Sequence, residues 1–76
     1  MPARAPIALA DLPADWLAVR REMVAREGAR VRAGAGPWIE IWSEARAAWL
    51  RLALPDNAIA FATAAERDTA LAALLA

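Results

Sequence analysis

The sequence predicts an α+β domain: a helix, an antiparallel meander of three or four strands, then a second helix, with both helices on one face of the sheet. Three observations carry this. Residues 12–27 and 63–75 each join a helix-start signal to apolar positions at helical spacing. Between them, residues 37–62 hold three of the four Trp, all but one of the Ile and the only Phe, in an order that alternates. Finally, 76 residues without Cys allow one core and no disulfides, so apolar burial, with self-association as its supplement, must hold the chain together.

Residues 1–10 read as an extended arm, interrupted by Pro2 and Pro6, ahead of a single domain at residues 11–76. Ile7 and Leu9 alternate, which suits an edge strand or a segment lying against the body; a frayed tail is the alternative. The first helix is placed at 12–27. Asp11 or Leu12 caps it, Pro13 sits in its first turn where a missing N–H costs nothing, and Gly28 stops it in the left-handed region. Leu12, Trp16, Val19 and Met23 share one face, widened by Leu17 and Val24. Arg20, Arg21 and Arg26 then point to solvent, with Glu22 spaced to pair with Arg26.

Residues 29–33 read either as a short strand showing Arg30 and Arg32 on one side or as a ragged helix extension. Gly34-Ala35-Gly36-Pro37 is a turn. Residues 38–54 fit two templates. As a helix, Trp38, Trp42, Ala45, Trp49 and Leu52 align. As strands, Ile39 and Ile41 alternate with Trp38, Glu40 and Trp42, and Leu50, Leu52 and Leu54 alternate with Trp49, Arg51 and Ala53. The Ile and Trp content and the turn at Leu54-Pro55-Asp56-Asn57 favour strands. A four-residue connection at 43–46 pairs Ile39 with Leu50, Trp38 with Arg51, and Glu40 with Trp49. A return strand follows at 58–62. A three-residue loop at 55–57 would put Ile59 and Phe61 on the Trp49 side. A two-residue loop, Asp56-Asn57, pairs Leu54 with Ile59 and Leu52 with Phe61 and keeps both in the core, which burial favours. In the second helix Thr63 and Glu66 have capping-box spacing, and Leu71, Leu74 and Leu75 supply the inward stripe.

The chemistry is sparse. Lys, His, Cys, Tyr and Gln are absent, all nine cations are Arg, and about three residues in ten are Ala. Without His or Cys the common general bases, thiol nucleophiles and soft metal ligands are missing, so neither enzyme, metal site nor cofactor is expected. Ser43 is the only Ser and has no Lys to activate it. Glu40 and Glu44 are spaced like a carboxylate pair, but a chain this small rarely builds the cleft that such a pair serves. The Gly34–Gly36 turn has neither the Lys of a P-loop nor dinucleotide spacing. Nine Arg against nine acids give no net charge, which argues against nucleic acid, although Arg20, Arg21, Arg26, Arg30 and Arg32 could cluster. No stretch approaches a membrane span, and the N-terminal residues lack a secretory pattern, so an intracellular, cytoplasmic location is expected.

The Trp residues remain. With Ile39, Ile41, Leu50 and Leu52 facing the helices, alternation puts Trp38, Glu40, Trp42, Trp49 and Arg51 on the opposite face. Trp and Arg are the residue types enriched at interface hot spots, and these five are the candidate partner-binding residues. The competing assignment makes the Trp core, or covers them with the arm or a twin subunit. In size and compactness the chain resembles small accessory proteins of phages and mobile elements, including anti-CRISPR inhibitors. That resemblance is one of general character, without a motif, and transfers no functional residue. It implies a non-catalytic inhibitor that blocks a host protein such as a CRISPR effector subunit. A structural or assembly subunit of a phage or gene-transfer particle, self-associating as a homodimer through the same face, is the alternative, and a nucleic-acid binder using the Arg cluster is the third.

Overall fold

The structure is a computed structural model that describes residues 5–76; the part of the expected arm at residues 1–4, Pro2 included, lies outside the described residues. Its helices are α1 (Trp16–Glu27) and α2 (Ala64–Leu75), and between them run β1 (Val31–Ala33), β2 (Ile39–Ser43) and β3 (Ala48–Arg51). The three strands form one antiparallel sheet in the order β1-β2-β3, with the helices packed on one face. The α+β class and the strand assignment of residues 38–54 therefore stand. The core joins Trp16 of α1, Ile39 and Leu52 of the sheet region, Phe61, and Ala70 and Leu74 of α2.

Helix α1 starts four residues later than expected. Leu12 is held extended (φ −66°, ψ 137°) ahead of Pro13, whose ring disfavours a helical residue before it. Pro13 instead begins a turn, its carbonyl accepting from Trp16 N–H at 3.0 Å. The inward stripe of α1 runs through Trp16, Arg20 and Val24, and Val19 lies outside it, 52% exposed. Arg20 is thereby half-buried rather than solvent-facing, with its guanidinium carbon 5.4 Å from the centre of the Trp16 ring. Arg26 pairs with Glu27 at 3.8 Å, not with Glu22. Gly28 closes the helix at φ 62°, as its position implies.

The β2–β3 register differs from the expected one by two residues. Glu40 faces Arg51, Ile41 faces Leu50, Trp42 faces Trp49 and Ser43 faces Ala48. The connection has the expected four residues but lies at 44–47. Ser43 Oγ accepts from Arg46 N–H at 3.2 Å, and Ala47 takes φ 50°. An even slip preserves the faces. Leu50, assigned to the core, is 38% exposed, because it pairs with Ile41 toward the 44–47 connection while the buried pair is Ile39 and Leu52.

Residues 58–62, expected as a return strand, do not pair with β3 among the described residues. The two-residue turn does form: Asp56 and Asn57 both take positive φ (56° and 57°), and Ala58 N–H donates to Pro55 O at 3.1 Å. The chain then leaves β3 because its donors are taken elsewhere. Ile59 N–H bonds Ala5 O, Phe61 N–H bonds Pro37 O at 2.7 Å, and Ala62 N–H bonds Ile7 O. Ile7 and Phe61 form an isolated parallel bridge. Phe61 reaches the core, 1% exposed, whereas Ile59 is 37% exposed, so the alternation does not hold both inward.

Ile7 and Leu9 pack against the core, and a short 3-10 turn covers Leu9–Asp11. Thr63 caps α2, its Oγ1 accepting from Glu66 N–H at 3.1 Å. The Glu66 carboxylate accepts from Thr63 Oγ1 and, at 2.9 Å, from Leu9 N–H, so it straps the N-terminal segment to the helix instead of closing the box on Thr63 N–H. Ala70 and Leu74 form the fully buried stripe of α2 and Leu71 flanks it, while Leu75 is 61% exposed in the last turn.

Candidate partner-binding face

The candidate site is the sheet face turned away from the helices. Ile39 on β2, Leu52 just past β3 and Val31 on β1 point into the core. Alternation therefore sends Trp38, Glu40 and Trp42, Trp49 and Arg51, and Arg30 and Arg32 to the other side. All five residues expected from the sequence share this face. Arg30 and Arg32, assigned to a separate cationic cluster, belong to it as well; the period of two at residues 30–32 carried the signal, but not which strand they would neighbour.

Register arranges the face in rows. Arg30 lies beside Trp42, whose N–H donates to Arg30 O at 3.0 Å, and Trp42 faces Trp49. Arg32 faces Glu40, and Glu40 faces Arg51. Trp38 lies beside Gly34, whose N–H donates to Trp38 O at 2.9 Å. The Trp42 and Trp49 rings meet edge to face, their centres 5.6 Å apart at 68°.

Arg side chains share the aromatic surface. The guanidinium carbon of Arg51 is 3.7 Å from the centre of the Trp38 ring, and that of Arg32 is 4.0 Å from Trp49. Arg30 stands 5.4 Å from both Trp42 and Trp49. Each Trp is half-buried in this packing, while the three Arg are exposed. The face is thus a cation–aromatic lattice and not a bare apolar patch.

Glu40 is the anionic centre of that lattice. Its Oε1 accepts from Arg32 Nε at 2.9 Å and its Oε2 from Trp38 Nε1 at 3.3 Å. Those two hydrogen bonds, with the Arg32 and Arg51 charges, hold its carboxyl below the usual glutamate range. Glu40 therefore bonds Arg32 and Trp38, and Glu44 lies exposed in the 44–47 connection.

Trp38 is seated by the turn before it. A side-chain carbon at Gly34 or Gly36 would overlap the indole, so the ring lies flush on the glycine backbone. From α2, the Arg67 guanidinium donates to Gly36 O at 2.7 Å and Gly34 O at 3.3 Å, and its Nε pairs with Asp68. The turn uses its glycines to admit an indole and its carbonyls to bind Arg67. Arg67 stood outside every sequence motif, and this role had no local signal.

The five-Arg cluster does not assemble. Arg20 lies on Trp16, Arg21 Nε donates to Ala76 O at 3.0 Å, Arg26 pairs with Glu27, and Arg30 and Arg32 stand on the sheet face. At the Trp42 end of that face a shallow hollow of about 360 Å³ is lined by Gly28, Ala29, Arg30, Trp42 and Ser43, with Glu27 and Glu44 at its wall. No helix among the described residues is long and apolar enough to cross a membrane. Comparison with protein-family models, curated proteins and solved structures finds no match to this chain.

Proposed function

We propose that this chain is a non-catalytic protein-interaction module that docks through the outer sheet face, with Trp38, Trp42, Trp49 and Arg51 as its contact residues and Glu40 holding their arrangement. The observation that carries this reading is the concentration of three Trp and three Arg on the one sheet face that neither helix covers. Indole and guanidinium groups give large, rigid contact area with directed donors, the composition of interface hot spots. In this form the chain acts as a stoichiometric inhibitor of the anti-CRISPR kind, occupying a surface of a host effector protein.

The test compares wild type with Trp42→Ala in capture from host lysate and in light scattering after size exclusion. A host protein retained by wild type and lost by Trp42→Ala, with a monomeric free chain, is the expected result. A stable homodimer that Trp42→Ala dissociates would replace the inhibitor with a self-associating assembly subunit. Loss of folding in Trp42→Ala, read by circular dichroism, would make Trp42 a structural residue.

A further inference from the structure

We infer that the partner of this face is an acidic protein surface, whose carboxylates are received by Arg30 and Arg51. The inference rests on the docking reading above and specifies the chemistry on the other side. Three Arg stand on the face against one carboxylate, Glu40, and that carboxylate is already engaged by Arg32 and Trp38. Among the described residues neither Arg30 nor Arg51 has a carboxylate within 4.0 Å. The sheet rows therefore hold two more Arg than carboxylates on a chain whose total charge is zero, with Glu27 and Glu44 lying beside Arg30 only at the hollow.

The way these charges are held also points to carboxylates. A guanidinium stacked over an indole spends none of its N–H donors on the ring, because the donors lie in its own plane and the contact is through its face. Arg51, at 3.7 Å from the Trp38 ring centre, is consequently braced against one rotation while its edge remains free for a bidentate acceptor. Arg30 stands 5.4 Å from both the Trp42 and Trp49 ring centres and lines the hollow beside Trp42. An apolar side chain of the partner fits against Trp42 there. Glu27 and Glu44 also line the hollow and repel a carboxylate there, so the acidic groups belong over the sheet rows.

Nucleic acid also offers anions, but single strands bind such faces by stacking bases on the aromatic rings. Here Arg51 and Arg32 occupy the ring faces of Trp38 and Trp49 that a base would need. Two of the three rings are thereby taken, which weakens base stacking while leaving the exposed Arg for carboxylates.

The test is selection of displayed twelve-residue random peptides on the immobilised full chain, followed by affinity measurement of selected peptides against wild type, Trp42→Ala and the double variant Arg30→Gln/Arg51→Gln. A twelve-nucleotide oligo-dT serves as the nucleic-acid probe. Circular dichroism establishes that each variant is folded. Enrichment of Asp and Glu among the selected peptides is expected, with binding weakened about tenfold or more in the double Arg variant and again on raising salt. Selected peptides that need Trp42 but show no acidic enrichment, or that bind the double Arg variant as well as wild type, overturn the acidic partner while leaving the docking face intact. Tighter binding of oligo-dT than of any selected peptide overturns it in favour of nucleic acid. Failure to select any peptide that depends on Trp42 overturns the docking reading itself.

Discussion

Arg51 sits with its guanidinium carbon 3.7 Å from the centre of the Trp38 ring, on the same sheet face as the Arg32–Glu40 ion pair and directly opposite Glu40 on the neighbouring strand. The contact links the end of β3 to the residue that enters β2, yet Arg51 remains exposed. A cation–π contact at an exposed site contributes about 0.5–1 kcal/mol. Arg51→Ala is therefore expected to lower unfolding free energy by no more than ~1 kcal/mol in a urea titration, with the tryptophan emission spectrum altered in the folded state. A larger loss of stability would mean that Arg51 supports the fold, and would remove it from the contact residues.

Gly34 and Gly36 make a sharper pair of predictions because their role is spatial. A methyl group at either position overlaps the Trp38 indole, so the ring must move off the turn. Gly36→Ala should cost about 1–3 kcal/mol by the usual penalty for overpacking, and should disturb Trp38 Nε1–H in an NMR spectrum. Gly28→Ala meets nothing within reach, and its cost is that of placing a side chain at φ 62°, about 1 kcal/mol. The two variants separate by which indole N–H signal moves: Trp38 for Gly36→Ala and no indole for Gly28→Ala.

Glu66 ties two distant parts of the chain, since its carboxylate accepts from Leu9 N–H at 2.9 Å as well as from Thr63. Removing it leaves Leu9 N–H and the Thr63 hydroxyl without that acceptor, while the Thr63 cap on the backbone N–H of residue 66 stays. Glu66→Ala is expected to destabilise by about 1–2 kcal/mol, and to raise hydrogen exchange at Leu9 N–H more than at Val24 N–H in the middle of the structure. Equal effects at both amides would show that Glu66 acts only through global stability.

Much of this was legible in local pattern. Ile39 and Ile41 against Trp38, Glu40 and Trp42 define two faces whatever the pairing, so the two-residue slip to Ile41–Leu50 left the same residues together. Thr63 with Glu66, Gly28, and the turn at Asp56-Asn57 follow from residue type alone. What failed depended on distant partners. The return strand at 58–62 was plausible beside β3, but Ala5, Ile7 and Pro37 take its hydrogen bonds. Val19 fell outside because the buried positions of α1 are Trp16 and Val24, with Arg20 half-buried between them, and that line leaves Val19 at the edge. Arg67 bonding to Gly34 and Gly36 joins residues more than thirty apart, which no spacing rule reaches.

Glu40 gives the face a pH dependence of known sign. Hydrogen bonds from Arg32 and Trp38 and the neighbouring Arg charges favour its ionised form, so its pKa in the folded chain lies below the value in the unfolded chain. The unfolded state then binds the proton more tightly, and the stabilising contribution of the ionised carboxylate is complete above the unfolded value. It disappears as pH falls through the folded one. A carbon-detected NMR titration of the Glu40 carboxyl should give a midpoint below the ordinary glutamate range. Arg32→Met, which keeps a stem of similar reach without the guanidinium, should move that midpoint upward, because the largest cause of the shift is the Arg32 hydrogen bond. Protonation also releases the acceptors of Arg32 Nε and Trp38 Nε1, so the Trp38 indole signal should shift with the same midpoint. A Trp38 signal that stays fixed while Glu40 titrates would separate the carboxylate from the arrangement of the face. Glu40 would then be an isolated surface charge and not the group that holds Trp38 and Arg32 in register.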